Sequence, residues 1–68
     1  NEEDSEKKYY YHLIGGDDYD YINKHLSGDL PWFLGYMVET SDCQTAFTDE
    51  EIKKSPYNLT KYEKVEVN

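Results

Sequence analysis

The sequence has no arginine, a single cysteine and no long apolar run, and each absence narrows what the protein can be. Without arginine, the chain lacks the side chain best suited to holding phosphate groups by two hydrogen bonds. Cys43 alone can form neither an internal disulfide nor a cysteine-based zinc cluster, and a lone thiol suits a reducing cytoplasm. No segment approaches the roughly 18 apolar residues of a membrane-spanning helix. The charged opening NEEDSEKK is unlike a signal peptide. These absences predict a cytoplasmic protein.

The 68 residues are enough for one small hydrophobic core and no second domain. A chain of this length buries only roughly 60% of the surface that its unfolded form exposes, so its stability is marginal. Eight tyrosines, one tryptophan and two phenylalanines supply large apolar surfaces. A homodimer stays open as an alternative, because a second copy would relieve the small core. Since residue 1 is not methionine, we expect the sequence to be the C-terminal part of a longer chain.

Charge is the strongest compositional signal. Fifteen Asp and Glu residues stand against seven Lys residues, which gives a net charge of -8. Such a surface repels nucleic acids and anionic lipids and attracts basic surfaces. We therefore predict no direct binding to nucleic acid or membranes, and a basic nucleic-acid-binding protein as the partner.

The pattern along the chain predicts a disordered acidic lead-in over residues 1–8 and one α+β domain over residues 9–68. Runs of β-forming residues separated by turns containing Gly and Asp indicate strands, and the most apolar run is expected to be the central one. The predicted order is β-β-β-α-β, an antiparallel sheet of three to four strands with one short helix packed on it. The predicted strands are Tyr9–Ile14, Tyr19–Asn23, Trp32–Glu39 and Lys61–Val67, with a polar loop at Thr40–Gln44 and a helix at Asp49–Ser55.

The start of the helix carries the clearest local signal. Thr48 and Glu51 have the spacing of a capping box, in which the side chain of each residue accepts a hydrogen bond from the backbone N–H of the other. Phe47 and Ile52 have the spacing of the hydrophobic staple that packs across such a cap. Pro56 is expected to end the helix.

Two of these segments resemble a known group of proteins. Residues 47–54, FTDEEIKK, followed by Val-Glu-Val at 65–67, resemble the C-terminal module of small uncharacterised acidic proteins of Firmicutes phages and prophages, in which an FTxEEIK helix start precedes a V-x-V strand. Residues 8–14 and 21–24 are similar to the tyrosine-rich first hairpin of such proteins. Short acidic phage proteins often inhibit host enzymes or defence systems, so the resemblance implies an inhibitor in the host cytoplasm, acting on a restriction or CRISPR nuclease or a similar protein. It carries over no catalytic residues.

Candidates for catalysis and metal binding are few. His12, His25 and Cys43 are the possible nucleophile or bases besides carboxylates and tyrosines, and no motif links them. Asp17, Asp18, Asp20 and Asn23 crowd oxygen atoms into seven positions, but the distal glutamate of a calcium loop does not follow. We interpret that cluster as a solvated turn. We predict a protein without enzymatic activity, cofactor or metal.

Tyrosines and acids therefore carry the functional hypothesis. Tyr9, Tyr10 and Tyr11 alternate between the two faces of a strand, so some tyrosine rings must reach the surface, where they favour protein interfaces. Side chains two apart on one strand face, as predicted for Asp18 and Asp20, are separated by roughly 6.5–7 Å, close to the phosphate spacing of DNA. The first hypothesis is that the chain inhibits a nucleic-acid-acting protein. A more specific form of this hypothesis is that it does so by DNA mimicry. The alternative is an assembly module with an aromatic face that includes Trp32. The predicted partner-binding residues are Asp17, Asp18, Tyr19, Asp20, Tyr21, Asp29 and Glu39.

Overall fold

A computed structural model describes residues 7–67 of the chain. The predicted disordered lead-in falls mostly on residues 1–6, which lie outside the described residues. Within the described part, strands predominate and helical structure is short. The strands are β1 (Tyr9–Leu13), β2 (Tyr21–His25), β3 (Trp32–Gly35), β4 (Cys43–Gln44), β5 (Ala46–Phe47) and β6 (Tyr62–Glu66), with helix α1 (Asp49–Ile52) after β5 and a 3-10 turn (Leu59–Lys61) before β6.

The sheet is built around a hairpin whose two strands separate. β1 and β2 pair where His12 lies opposite Tyr21, next to their connecting loop, and diverge beyond it. β4 pairs with the far end of β2, and β5 pairs with the far end of β1. Residues 43–47 therefore fill the gap in the hairpin. Where β1 and β2 separate, their backbone N–H and C=O groups need other partners. The end of the predicted polar loop, Thr40–Gln44, supplies some of these partners and therefore forms strand β4.

The predicted α+β class is confirmed at the coarse level, while the sheet is larger than predicted. It is antiparallel and contains six strands in the described part of the chain, with one short helix. β6 pairs along the full length of β1, and β3 pairs with β2. Two of the six strands, β4 and β5, have two residues each and lie too close together for alternation of side chains to reveal them.

The predicted central strand, Trp32–Glu39, is wrong in both position and length. β3 lies at the edge of the sheet, because the other side of β2 is occupied by β1 and β4. It ends at Gly35, after which the side chain of Asn23 donates a hydrogen bond to the Tyr36 carbonyl and draws the chain out of the strand. The second strand also begins later than predicted, at Tyr21, because residues 17–20 close a turn on themselves.

The capping box at the helix start is confirmed. The Thr48 hydroxyl accepts from the Glu51 N–H at 3.2 Å, and the Glu51 carboxylate accepts from the Thr48 N–H at 2.9 Å. Helix α1 ends at Ile52, short of the predicted Ser55. The Lys53 N–H still bonds the Asp49 carbonyl four residues back, but the N–H groups of Lys54 and Ser55 bond three residues back. The chain therefore tightens into a turn just before Pro56, where the α conformation of the preceding residue is disfavoured.

The core lies on one face of the sheet, beneath α1. Tyr11, Ile22, Phe47 and Ile52 are buried together, and the two residues of the predicted staple are both among them. Because side chains alternate along a strand, Asn23 faces the opposite side of the sheet from Ile22, yet it too is buried. Its amide bonds the carbonyl of Tyr36, which belongs to the surface described next.

Candidate protein-binding surface

The loop between β1 and β2 is held by two of its own carboxylates. Asp17 accepts a hydrogen bond from the Tyr19 N–H at 3.1 Å, and Asp20 accepts one from the Asp17 N–H at 3.0 Å. A side chain at Gly16 would meet the Asp20 carboxylate at 2.6 Å, so this close turn requires glycine. Asp18 is exposed, and its carboxylate has no hydrogen-bond partner among the described residues. Asp17 and Asp20 therefore shape the loop, and Asp18 faces solvent without a partner from residues 7–67.

His12 anchors this loop to the sheet. Its Nε2 lies 2.8 Å from the Asp17 carbonyl oxygen, and its Nδ1 lies 3.1 Å from the Glu63 carboxylate on β6. Both neighbours are acceptors, so the protonated imidazole, which donates from both nitrogens, satisfies the two contacts at once. The hydrogen bond to the Asp17 carbonyl, followed by the bond and charge of Glu63, raises the pKa of His12 above its usual value despite its partial burial.

Two exposed tyrosine rings meet beside the loop. The rings of Tyr19 and Tyr36 lie 4.6 Å apart between centroids, inclined at 57°, and 56% and 54% of these residues' surfaces are exposed. The neighbouring phenol group of Tyr19 is the main cause that raises the pKa of Tyr36, and partial desolvation and the carboxylates of Asp18 and Asp17 add to it. The phenol group of Tyr36 therefore lies in a negative electrostatic field.

Buried polar side chains place Tyr36 and the residue after it. The Asn23 amide donates to the carbonyl oxygens of Tyr36 at 2.9 Å and Tyr21 at 3.1 Å. The fully buried Thr45 hydroxyl donates to the Met37 carbonyl at 2.9 Å. Asn23 lies on β2 and Thr45 lies between β4 and β5, so their hydrogen bonds tie Tyr36 and Met37 to the sheet.

Segment 36–38 and the loop enclose a groove of about 270 Å³, which we call the acidic–tyrosine groove. Tyr36, Met37 and Val38 leave large apolar surfaces exposed, and 69% of Val38 is accessible to solvent. Exposed apolar surface next to unpaired charge is a common composition for a protein interface. The groove is lined by Asp18, Tyr21, Tyr36, Met37 and Val38.

The structure brings most of the predicted partner-binding residues together. Asp17, Asp18, Tyr19, Asp20 and Tyr21 are consecutive in the loop and at the start of β2. The strand placement predicted for Asp18 and Asp20 is wrong, because both precede β2, and the half-buried Asp20 is bonded within the loop.

The remaining two predicted residues lie apart from this group. Asp29 lies in the turn after β2, roughly 13 Å or more away along a five-residue strand. The Glu39 carboxylate accepts from the Thr45 N–H at 3.4 Å, so it helps to hold the segment that follows the groove. Sequence reasoning missed Met37 and Val38 as surface residues, because an apolar run was interpreted as a buried strand. The polar stretch that follows them was the available signal that the sheet had already ended.

A thiol and an imidazole meet at the opposite end of β2. The register of β2 and β4 sets His25 opposite Cys43, and Sγ lies 3.4 Å from Nδ1. Phe33 stacks on the imidazole at 4.3 Å. This contact arises from the pairing of β2 with β4, so the spacing of His25 and Cys43 in the sequence could not predict it. Within residues 7–67, no third side chain bonds the other nitrogen of His25 in the way that orients a catalytic base.

Residues 7–67 contain no group of three or more His, Cys, Asp or Glu side chains placed to hold a metal ion. No helix in the same range is long and apolar enough to cross a membrane. Comparison of the chain with protein-family models, curated proteins and solved structures found no match.

Proposed function

We propose that this chain is a non-enzymatic binding protein that attaches to a basic surface of another protein through the acidic–tyrosine groove and the adjoining loop. The observation that carries the proposal is that one groove combines the exposed Tyr36 ring, which Tyr19 supports from outside, with the Asp18 carboxylate, which has no partner among residues 7–67. Tyrosine brings apolar area and a hydroxyl group to an interface at a small cost in side-chain entropy. The carboxylates attract and orient a cationic partner.

The distribution of ion pairs supports the same surface. Lysines pair with Glu66, Glu50 and Asp49 around α1 and the strands β1 and β6. Among the described residues, no lysine forms an ion pair with the acids of the β1–β2 loop. Among residues 7–67, acidic side chains around α1, β1 and β6 are thus paired with lysine, and those of the β1–β2 loop beside the groove are not. A basic partner gains most from docking at the uncompensated side.

The proposed partner is a nucleic-acid-acting host or defence protein, such as a restriction or CRISPR nuclease, in the cytoplasm of the host. Such proteins carry basic surfaces for phosphate groups, and the resemblance to acidic phage proteins supports this class. By covering that surface, the chain would exclude the nucleic acid and inhibit the partner. The likeness to DNA lies in net charge and not in a regular row of acids, because the loop carboxylates of Asp17 and Asp20 bond their own backbone.

Affinity capture from a Gram-positive host lysate at low and high salt tests this function. The wild-type chain is compared with Asp18→Asn and with the matched control Asp29→Asn, which removes the same charge from an exposed turn at the other end of β2. We expect the wild-type chain to retain a basic nucleic-acid-binding protein at low salt and to release it at high salt. At low salt, Asp18→Asn should retain less of this protein than wild type, and Asp29→Asn should retain the same amount. Addition of the chain should also inhibit nucleic-acid binding by the purified partner. Retention that is equal in all three proteins and resists high salt would contradict the proposal.

An assembly module is the second candidate, and the exposed Tyr19, Tyr36 and Val38 favour it. In that case the groove would hold a second copy or another structural protein mainly by apolar contact. Such an interface weakens little with salt, because screening acts on charges. Sedimentation of the purified chain at low and high salt tests assembly with a second copy: a salt-resistant dimer supports it, and a monomer excludes it. Capture of a structural protein that resists high salt would support assembly with another protein.

A further inference from the structure

The size of the acidic–tyrosine groove limits what it can hold. Its volume of about 270 Å³ lies just below the roughly 300–1,000 Å³ of sites for drug-sized ligands. A single long side chain fits within this volume. The size and the lining therefore favour one anchoring side chain from a partner.

The chemistry of the lining selects the type of side chain. Asp18 supplies an acceptor without a partner among the described residues, and Tyr21 and Tyr36 supply aromatic rings. Met37 and Val38 supply apolar walls that would cover an alkyl stem. An anion would be repelled by Asp18 and its acidic neighbours, and a purely apolar side chain would bury that carboxylate without compensation.

Arginine meets all of these conditions. Its planar guanidinium group pairs with a carboxylate through two hydrogen bonds and stacks on aromatic rings, while its stem packs against apolar groups. Lysine carries the same charge as a strongly hydrated point, which neither stacks nor forms a two-pronged contact. The chain itself has no arginine, so no residue of its own sequence can supply this group.

We infer that the acidic–tyrosine groove is a receptor for one arginine side chain of the partner, with the guanidinium group paired to Asp18 and stacked on Tyr36. The inference deepens the proposed function and rests on it for the identity of the partner. It also explains why Asn23 and Thr45 are buried polar residues: their hydrogen bonds fix the backbone that carries Tyr36 and Met37. Tyr19 completes the site by supporting the ring of Tyr36 from outside the groove.

Titration of the ¹⁵N-labelled chain with three short peptides, followed by NMR, tests the groove without the partner. The peptides are acetyl-Gly-Arg-Gly-amide and its counterparts with lysine and with citrulline, which keeps the shape of arginine and removes the charge. We expect the arginine peptide to shift the amide signals of Asp18 and of residues 36–38. The lysine peptide keeps the charge but loses the stacked, two-pronged contact, so it should bind about two- to fivefold more weakly. The citrulline peptide loses the charge, so it should also bind about two- to fivefold more weakly than the arginine peptide, as expected for an exposed charge contact.

Variants locate the site and separate it from simple charge attraction. Asp18→Asn and Tyr36→Leu should each weaken the arginine peptide about two- to fivefold, and Asp29→Asn should leave it unchanged. A Tyr36→Leu variant with a preserved spectrum elsewhere excludes unfolding as the cause. Shifts spread evenly over acidic residues, or equal binding of the arginine and lysine peptides, would overturn the inference.

The two proposals fail in distinguishable ways. If the arginine peptide binds in the groove while Asp18→Asn leaves capture of a basic partner unchanged, the arginine receptor stands and the proposed function fails. If capture depends on salt and on Asp18 while no peptide binds in the groove, the function stands and the arginine receptor fails.

Discussion

Replacement of Asn23 by aspartate is the sharpest test of how the groove is built, because it changes an amide to a carboxyl group of nearly equal shape. The Asn23 amide is buried and donates to two carbonyl oxygens, those of Tyr21 and Tyr36. An ionised carboxylate cannot donate, and it would face both oxygens at hydrogen-bond distance. Each lost hydrogen bond costs about 1 kcal/mol, and a buried charge without a partner costs about 3 kcal/mol or more.

The cost should depend on pH in a defined direction. Burial beside two carbonyl oxygens raises the pKa of the introduced carboxyl group in the folded state above its unfolded value of about 3.9. A group whose folded pKa is raised contributes stability below its unfolded pKa and loses it as the pH rises through the folded pKa. Asn23→Asp should therefore be destabilised by about 3 kcal/mol or more at pH 8, and less at pH 5. A domain of this size has only about 3–5 kcal/mol in total, so much of the variant should be unfolded at pH 8.

Urea unfolding at pH 5 and pH 8, monitored by tryptophan fluorescence, measures this difference relative to the wild-type protein at each pH. Asn58→Asp is the matched control, because Asn58 is exposed and accepts hydrogen bonds from Thr60, which a carboxylate also does. The control should stay within about 0.5 kcal/mol of wild type. If Asn23→Asp unfolds at the wild-type urea concentration at pH 8, the bonds from Asn23 do not hold segment 36–38.

Three further predictions concern the loop anchor, the helix cap and the core. Because the folded pKa of His12 is raised, its contribution to stability is present below about pH 6.5 and is lost as the pH rises through the folded pKa. The change should be less than about 1 kcal/mol, because one member of the His12–Glu63 pair is exposed. Urea unfolding from pH 6 to 8 should show this loss of stability in wild type and not in His12→Gln. Thr48→Ala removes the helix cap and should cost about 1 kcal/mol, seen as a lower thermal midpoint, whereas Thr60→Ala should cost less at an exposed site. Ile22→Ala opens a cavity in the core and should cost about 2–5 kcal/mol of stability, enough to unfold most of the chain. The smaller change Ile22→Val should cost about 0.5–1.5 kcal/mol. An unaltered urea midpoint for Ile22→Ala would contradict the assigned core.

Features that depend on neighbours within a few residues could be predicted from the sequence. The start of α1 followed from Thr48, Glu51 and their apolar flanks, since capping bonds span three residues. Strands β1, β2 and β6 followed from runs of β-forming residues bounded by turns, with ends wrong by up to two residues. The five consecutive residues 17–21 were identified as a candidate binding segment from their acids and tyrosines, although the strand spacing predicted for Asp18 and Asp20 was wrong.

Which segments of the chain contact one another could be seen only in the tertiary structure. The gap in the β1–β2 hairpin, the placement of β3 at the edge and the contact of Cys43 with His25 all arise from pairings between residues that are distant in sequence. The groove is the clearest case: its loop and segment 36–38 are brought together by Asn23 and Thr45, whose side chains seek partners because they are buried. Burial is a property of the whole fold, since it depends on what packs above each residue. Local pattern therefore revealed the acids and tyrosines, and long-range packing made a site of them.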